Sequence, residues 1–306
     1  MSDPQLTTST PTDEAPAATP TSFVDRLSDT LQNAIKVLIG SNRKPPRLFK
    51  TLLHGTWLRH PLHPAITDVP IGAWTGAAIF DILWLVSPQT FTFAPKAAFV
   101  AVIIGFVAAL GAFATGSADW SDTYGAERTV GLYHGLMMTG AIIVYAISGV
   151  LRLQMGGGDS VAAAVLGFVG LADVLIAAYL GGDMVFHKGT GVNHTAWEAG
   201  GEDFEAVMPA AEAAENKLYR VTVSGVPVLL VKLNDTFAAI AATCTHAGGP
   251  LDEGELQGNV VQCPWHGSRF ALKNGAPLTG PATMAAPRYD VRIRDGQIEL
   301  KRRGGH

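Results

Sequence analysis

The sequence is poor in charge, and unevenly so. Only 16% of its 306 residues are Asp, Glu, Lys or Arg, against about 25% in ordinary soluble domains. The shortfall is local: residues 69–182 hold 9 charges in 114 residues, and the other 192 hold 39. Such a split argues against one soluble globule. Cysteine is scarcer still, at two residues, which excludes a disulfide scaffold. There is no basic excess; the formal net charge of −4 leaves no general footprint for nucleic acid. No apolar segment follows Met1, so no secretory signal peptide is expected. The Gly156–Gly158 run lacks the Lys-Ser/Thr that a phosphate-cradling loop needs. Ser121 and Ser268 have no triad context.

What is present divides the chain into segments. Residues 1–21 are rich in Thr, Ser, Pro and Ala without apolar periodicity, and are expected to be a disordered tail. Residues 22–50 form an amphipathic helix and linker. Phe23, Leu27, Leu31, Ile35 and Leu38 recur at helical spacing, Ser22 with Asp25 resembles a capping box, and Gly40 and Pro45-Pro46 end the helix. This helix is expected either on a membrane surface or packed on another domain.

Residues 51–195 read as a four-span membrane domain. The apolar stretches are 69–95, 97–118, 129–151 and 160–182, each 22 residues or longer, and a span needs about 20. Glycines such as Gly105, Gly111, Gly140 and Gly149 allow close helix contact in lipid. Trp57, Trp74, Trp84 and Trp120 read as interfacial anchors. Arg43, Lys44, Arg47, Lys50, Arg59, Arg128 and Lys188 fall on one side of the spans, against Lys96 and Arg152 on the other. That asymmetry predicts both termini in the cytoplasm, in a bacterial inner membrane.

Residues 196–306 change character again. Short alternating runs at 219–223, 226–233, 237–240, 259–262, 269–272, 288–293 and 297–301 predict a small antiparallel all-β domain, with turns at Asn234-Asp235, Asn274-Gly275 and Asp295-Gly296. Both cysteines lie here, each followed by a histidine: Cys244-Thr-His246, then Cys263-Pro-Trp-His266. Two thiolates and two imidazoles could bind one zinc ion, or a 2Fe-2S cluster with histidine on one iron. The order is not that of a zinc finger, which places both cysteines before both histidines. Gly and Pro flank both pairs, so the loops can approach a bulky group closely.

Cys244-Thr-His-Ala-Gly-Gly-Pro-Leu251 and Cys263-Pro-Trp-His-Gly-Ser-Arg-Phe270 resemble the two cluster loops of Rieske iron–sulfur domains, and Gly280-Pro281-Ala282 resembles the proline loop of that family. The resemblance implies a 2Fe-2S cluster with Cys244 and Cys263 on the inner iron and His246 and His266 on the outer one. It implies imidazole edges exposed to a redox partner and loss of an imidazole proton on oxidation. Respiratory Rieske proteins add two cysteines that clamp the loops; Gly249 and Trp265 stand there. They also place a tyrosine where this chain has Phe270. Ser268 is retained as a donor to the cluster. Fewer donors to sulfur stabilise the reduced state less, which predicts a ferredoxin-type centre toward the low end of the roughly −150 to +300 mV Rieske range.

The membrane segment carries its own titratable groups. His60-Pro-Leu-His-Pro64, Val69-Pro-Ile-Gly72, Asp81, Asp119-Trp120, Arg128, His134, 181–187 and Gly191-Val192 resemble a bacterial four-helix membrane family of unknown function. Asp81 and Asp173, near mid-span, are expected to face the bundle interior. His63, His134 and His187 fall at one membrane face, where two could ligate a b-type haem, three could hold a metal ion, or all could serve structural hydrogen bonds. His54 and His194 read as surface residues.

The resulting expectation is multidomain: a disordered tail, a four-helix transmembrane bundle and a small all-β Rieske domain. It is a membrane-anchored carrier of single electrons to or from a redox protein, with haem or a quinone-linked enzyme as candidate partners. The alternative is a redox-sensing or regulatory subunit of a membrane complex or transporter. An oxygenase is disfavoured, because only 40 residues follow His266 and a mononuclear iron site needs a large further domain.

Overall fold

The computed structural model describes residues 22–41, 47–198, 200–201 and 203–304. The tail at 1–21, Arg43, Lys44, Pro45-Pro46 and His306 lie outside the described residues.

Helix α1 (Phe23–Ile39) is capped by Ser22, whose hydroxyl accepts from the Asp25 N–H at 3.1 Å. Its polar face is the one that packs inward: Ser28 and Gln32 are buried, while Phe23, Val37 and Leu38 are more than two-thirds exposed. Gln32 donates to the carbonyls of Trp120 (2.9 Å) and Thr123 (3.0 Å), and Arg128 bonds Asp25 and Asp29. The helix is thus docked on the membrane domain through polar contacts, with Phe23, Val37 and Leu38 turned outward and Leu27, Leu31 and Ile35 half-buried. Helix α2 (Leu48–His54) follows, then a single turn at Thr56–Leu58.

Among the described residues, four helices are long and apolar enough to cross a membrane: α3 (Leu62–Val86), α4 (Ala94–Trp120), α5 (Gly125–Gln154) and α6 (Val161–Gly182), the last prolonged by one wider turn to His187. Their outer faces carry exposed Ile79, Val107, Ile143 and Val169. Their contact faces are built from small residues, with Ala77, Ala98, Ala112, Ala141, Ala163 and Ala177 buried, so the backbones approach closely. α3 packs chiefly on α4, and α5 chiefly on α6.

Two interior features depart from the sequence reading. Arg152 is not a loop cation: it is buried and forms a two-pronged pair with Asp81, Nη1 to Oδ1 at 2.9 Å. A charge at this depth is tolerated because its partner neutralises it and fills its hydrogen bonds. Trp74 and Trp84 are likewise no interfacial anchors but buried core residues.

The C-terminal region is all-β. One sheet has the order β1-β10-β9-β4-β3-β2, from β1 (Glu205–Pro209), β2 (Leu218–Val223), β3 (Val226–Leu233), β4 (Thr236–Ala241), β9 (Arg288–Arg294) and β10 (Gln297–Arg302). The other is β5-β6-β7-β8, from β5 (Glu255–Gln257), β6 (Val260–Gln262), β7 (Arg269–Ala271) and β8 (Pro277–Thr279). All named pairs are antiparallel. Leu229, Val231, Ile240, Leu251, Val261 and Phe270 form the core that holds both cysteine loops.

Candidate metal centre

The two Cys/His loops are near-copies in backbone. Cys244 N–H donates to Gly249 O and Cys263 N–H to Ser268 O, both at 2.8 Å; Gly248 N–H returns to Cys244 O at 2.9 Å and Gly267 N–H to Cys263 O at 3.2 Å. Each closure needs a residue in the left-handed region, supplied by Gly248 (φ +79°) and Gly267 (φ +76°). Two equal hairpin-like loops therefore present the pairs Cys244/His246 and Cys263/His266 toward one another.

Both cysteines are 1% exposed and neither is in a disulfide. The Cys263 hydrogen bond, burial and mutual repulsion together hold the Cys244 thiol well above its ordinary range, while the N–H groups of His246 and Ala247 aim at its sulfur and oppose that rise. The imidazoles of His246 and His266 lie edge to face, 4.8 Å between centroids. His246 Nδ1 is buried and has no hydrogen-bond partner among the described residues. Burial, reinforced by the neighbouring histidines, pushes this imidazole well below its usual pKa, so it is a neutral ring with a lone pair. Gly249 is where the respiratory proteins carry a clamping cysteine; a Cβ there would stand 2.9 Å from Cys263 Sγ. Two sulfurs, two imidazoles and an enclosed ring nitrogen without a partner fit a group that takes S₂N₂ donors. Among the described residues, no cluster of three or more His, Cys, Asp or Glu is spaced for a single metal ion.

The proline loop closes the site. Ser268 is fully buried, and its Oγ accepts from Ala282 N–H at 2.9 Å, leaving the hydroxyl proton for another acceptor. Thr245 Oγ1 donates to Met284 O at 2.9 Å.

The membrane domain completes the surroundings, and the sequence reading missed it. Of the two imidazole edges expected to be exposed, that of His266 is not: it is 5% exposed, with the Tyr124 ring of the α4–α5 loop stacked on it at 5.2 Å and 15°, whereas His246 is partly exposed. A cleft of about 330 Å³ remains beside it, bordered by Tyr124, Glu127, Lys188 and Trp265. His54 is not a surface residue but 1% exposed, its Nδ1 2.6 Å from Asp119 Oδ1 and its ring against Gly280, where a Cβ would stand 2.7 Å from Cδ2. Thr56 donates to Ala282 O. His194 is exposed, as expected. No local motif signals Tyr124 or His54, because their partners lie more than 60 residues away.

The three membrane histidines do not come together as one set. His63 and His134 approach to 6.3 Å between centroids. His187 is exposed and pairs with Asp183 at 3.0 Å, so the three-histidine metal site is not formed. Asp81 is buried as expected, whereas Asp173 is partly buried beside Gly140.

Comparison with known proteins bears on both halves. Residues 203–290 match the Rieske [2Fe-2S] domain, and residues 59–194 match a family described as Predicted membrane protein (DUF2231). Ferredoxin CarAc of Metapseudomonas resinovorans is 32% identical over 93 residues, 30% of this chain and 87% of the relative. The anthranilate 1,2-dioxygenase ferredoxin subunit of Burkholderia cepacia is 30% identical over 99 residues, 32% and 83%. The 3-phenylpropionate/cinnamic acid dioxygenase ferredoxin subunit of Escherichia coli K12 is 34% identical over 91 residues, 29% and 85%. Among solved structures, the ferredoxin of carbazole 1,9a-dioxygenase from Nocardioides aromaticivorans IC177 covers 32% of this chain and 96% of its own, at 27% identity and a TM-score of 0.31. The family match and the curated ferredoxins support a 2Fe-2S cluster and electron transfer; none of them names a haem. Through residues 203–290, joined to a membrane domain of the second family, the chain belongs to the Rieske [2Fe-2S] ferredoxins.

Proposed function

We propose that the protein is a membrane-anchored Rieske ferredoxin that carries single electrons to or from a redox protein partner. Cys244 and Cys263 would hold one iron, and His246 and His266 the other. The observation that carries this reading is the convergence of these four side chains on two equivalent loops, with His246 Nδ1 enclosed and unpartnered. When bound, a 2Fe-2S cluster supplies a one-electron redox couple. The chain supplies the rest. Its buried loops exclude water, backbone N–H groups of 246 and 247 aim at sulfur, and Ser268 keeps a proton to donate.

The division at about residue 195, the inner-membrane location and cytoplasmic termini belong to the same proposal. The orientation rests on the excess of Lys and Arg flanking one side of the spans; Arg152 on the opposite side is buried against Asp81, and Lys50 and Arg128 on the cation-rich side are likewise ion-paired. The partner class follows from the relatives, whose names assign them to dioxygenases; an oxygenase component or a quinone-linked enzyme fits. A redox-sensing role is the second reading, favoured by one contact: Tyr124 of the membrane domain rests on His266, so a change at that imidazole is felt across the domain boundary.

The test is low-temperature electron paramagnetic resonance of the dithionite-reduced full chain. A Rieske-type signal is expected, lost in Cys244→Ser and His246→Ala. A silent, iron-free protein after anaerobic reconstitution overturns the proposal.

A further inference from the structure

The four membrane helices are two copies of one hairpin. Positions in α3 and α5 correspond at an offset of 71, and those in α4 and α6 at an offset of 65. His63 matches His134, Trp74 matches Tyr145, and Asp81 matches Arg152; Gly105 matches Gly170, Ala112 matches Ala177, and Gly116 matches Gly181. The contacts repeat with the residues. His63 Nδ1 lies 2.9 Å from Ala112 O, and His134 Nδ1 lies 2.8 Å from Ala177 O. A Cβ at Gly116 would stand 2.7 Å from the His63 ring, and one at Gly181 3.2 Å from the His134 ring. Trp74 covers Gly105 and donates to Val102 O at 3.4 Å; Tyr145 covers Gly170 and donates to Gly167 O at 2.9 Å. Each repeat has two helices, so the two copies share one orientation and their pseudo-two-fold axis runs along the membrane normal.

Three cross-axis pairs stack along the bundle. Asp81 and Arg152 neutralise each other. Trp74 and Tyr145 stack at 4.0 Å and 7°. The third pair, His63 and His134, is not self-sufficient. A carbonyl only accepts, so each Nδ1 is the donor in these bonds and each Nε2 is the ring nitrogen left over for another partner. Neither Nε2 has a hydrogen-bond partner among the described residues. The rings are nearly perpendicular, 6.3 Å apart at 81°. Nitrogen-to-metal bonds of about 2.0–2.1 Å on both sides are compatible with that separation. An Nδ1–H held by a backbone carbonyl is also how ligating imidazoles are fixed.

We propose that His63 and His134 are the two axial ligands of a haem iron on this pseudo-two-fold axis. The choice of haem follows from the donor count. Apart from each other, His63 and His134 meet Ala112, Thr115, Gly116, Ala177 and Gly181, with no further His, Cys, Asp or Glu among these contacts, so a metal here takes two protein ligands and brings its other donors with it. The site lies at the end of the bundle that faces the β domain. It is independent of the four Rieske residues.

The test uses the full chain purified from membranes of cells supplied with a haem precursor. The expected result is a Soret band with about one haem per chain, lost in His63→Ala and in His134→Ala and kept in His187→Ala. His63→Met guards against misfolding: methionine is itself an axial ligand, so this variant keeps haem and raises its midpoint potential, which a purely structural histidine would not do. The Rieske resonance signal should persist in all four variants, so a failure here is distinct from a failure of the electron-transfer reading. Three outcomes overturn the proposal: no Soret band in protein that carries its 2Fe-2S cluster, a band unchanged when both histidines are alanine, or one copper per chain without porphyrin.

Discussion

At the scale of single residues, small polar contacts set what the centre can do. Ser268 accepts from Ala282 and keeps its own proton inside a buried loop. A donor to cluster sulfur favours the reduced form, because it offsets the added negative charge. Ser268→Ala should therefore lower the midpoint potential, read by redox titration of the resonance signal, where ~60 mV corresponds to a tenfold change for one electron. Glu198 works on stability instead. Burial raises its carboxyl pKa, only partly opposed by Thr243 and Arg302, and its Oε2 is buried without a partner. The folded chain then holds this proton more tightly than the unfolded chain. Stability falls as pH rises from the unfolded value, about 4.3, through the raised folded one, and the full loss is present above it. Glu198→Gln should raise the unfolding temperature at pH 7 and lose that advantage below about pH 4, as measured by thermal melts across pH.

At the scale of elements, the four spans and most strands were legible because their signals are local, although the first apolar stretch, 69–95, is offset from α3 (Leu62–Val86), whose first turns carry His63 and Asp68 and whose apolar run continues into the following loop. Twenty-odd apolar residues have few soluble explanations, and runs such as Val226–Leu233 read as strand from β-branched content alone. The strands that escaped, β1, β5 and β8, are short; the last two are three residues each, beside Gly or Pro, too brief to show a period of two. The Cys/His loops were legible as ligand sets because each motif fits within four residues. The helical repeat was not, because its matching residues are sparse and need two different offsets, and its most distinctive pairs differ in identity: Trp74 answers Tyr145, and Asp81 answers Arg152. Arg152 was read as a loop cation because position near a span end says nothing of which helix it meets. The pair makes a double-mutant prediction. Arg152→Met alone leaves a buried carboxylate unpaired and should cost ~3–5 kcal/mol, whereas adding Asp81→Leu should recover much of it. Unfolding of both variants in detergent is the measurement; equal losses in the single and double variants would contradict the pairing.

At the scale of the whole molecule, the β domain is held by its cluster end against the membrane domain. Tyr124 lies on His266, His54 with Asp119 presses on Gly280, and Thr56 bonds Ala282. The α4–α5 loop that presents Tyr124 is itself braced by α1, through Gln32 on Trp120 and Thr123 and through Arg128 on Asp25 and Asp29. A soluble partner therefore meets a covered His266 edge, unlike the open edge expected from the sequence, while His246 is partly exposed. Electrons either pass through the Tyr124 side or wait for the domain to lift. These routes respond oppositely to one substitution. An aromatic pair contributes about 0.5–1.5 kcal/mol beyond its buried area, so Tyr124→Ala should favour the lifted form by roughly 2–10-fold. If lifting limits exchange, stopped-flow oxidation of the reduced centre by a soluble one-electron acceptor should accelerate by about that factor in Tyr124→Ala, and Tyr124→Phe should stay near the parent rate. If the stacked ring is the route, the same variant should slow, and the docked face would be the working interface of the protein.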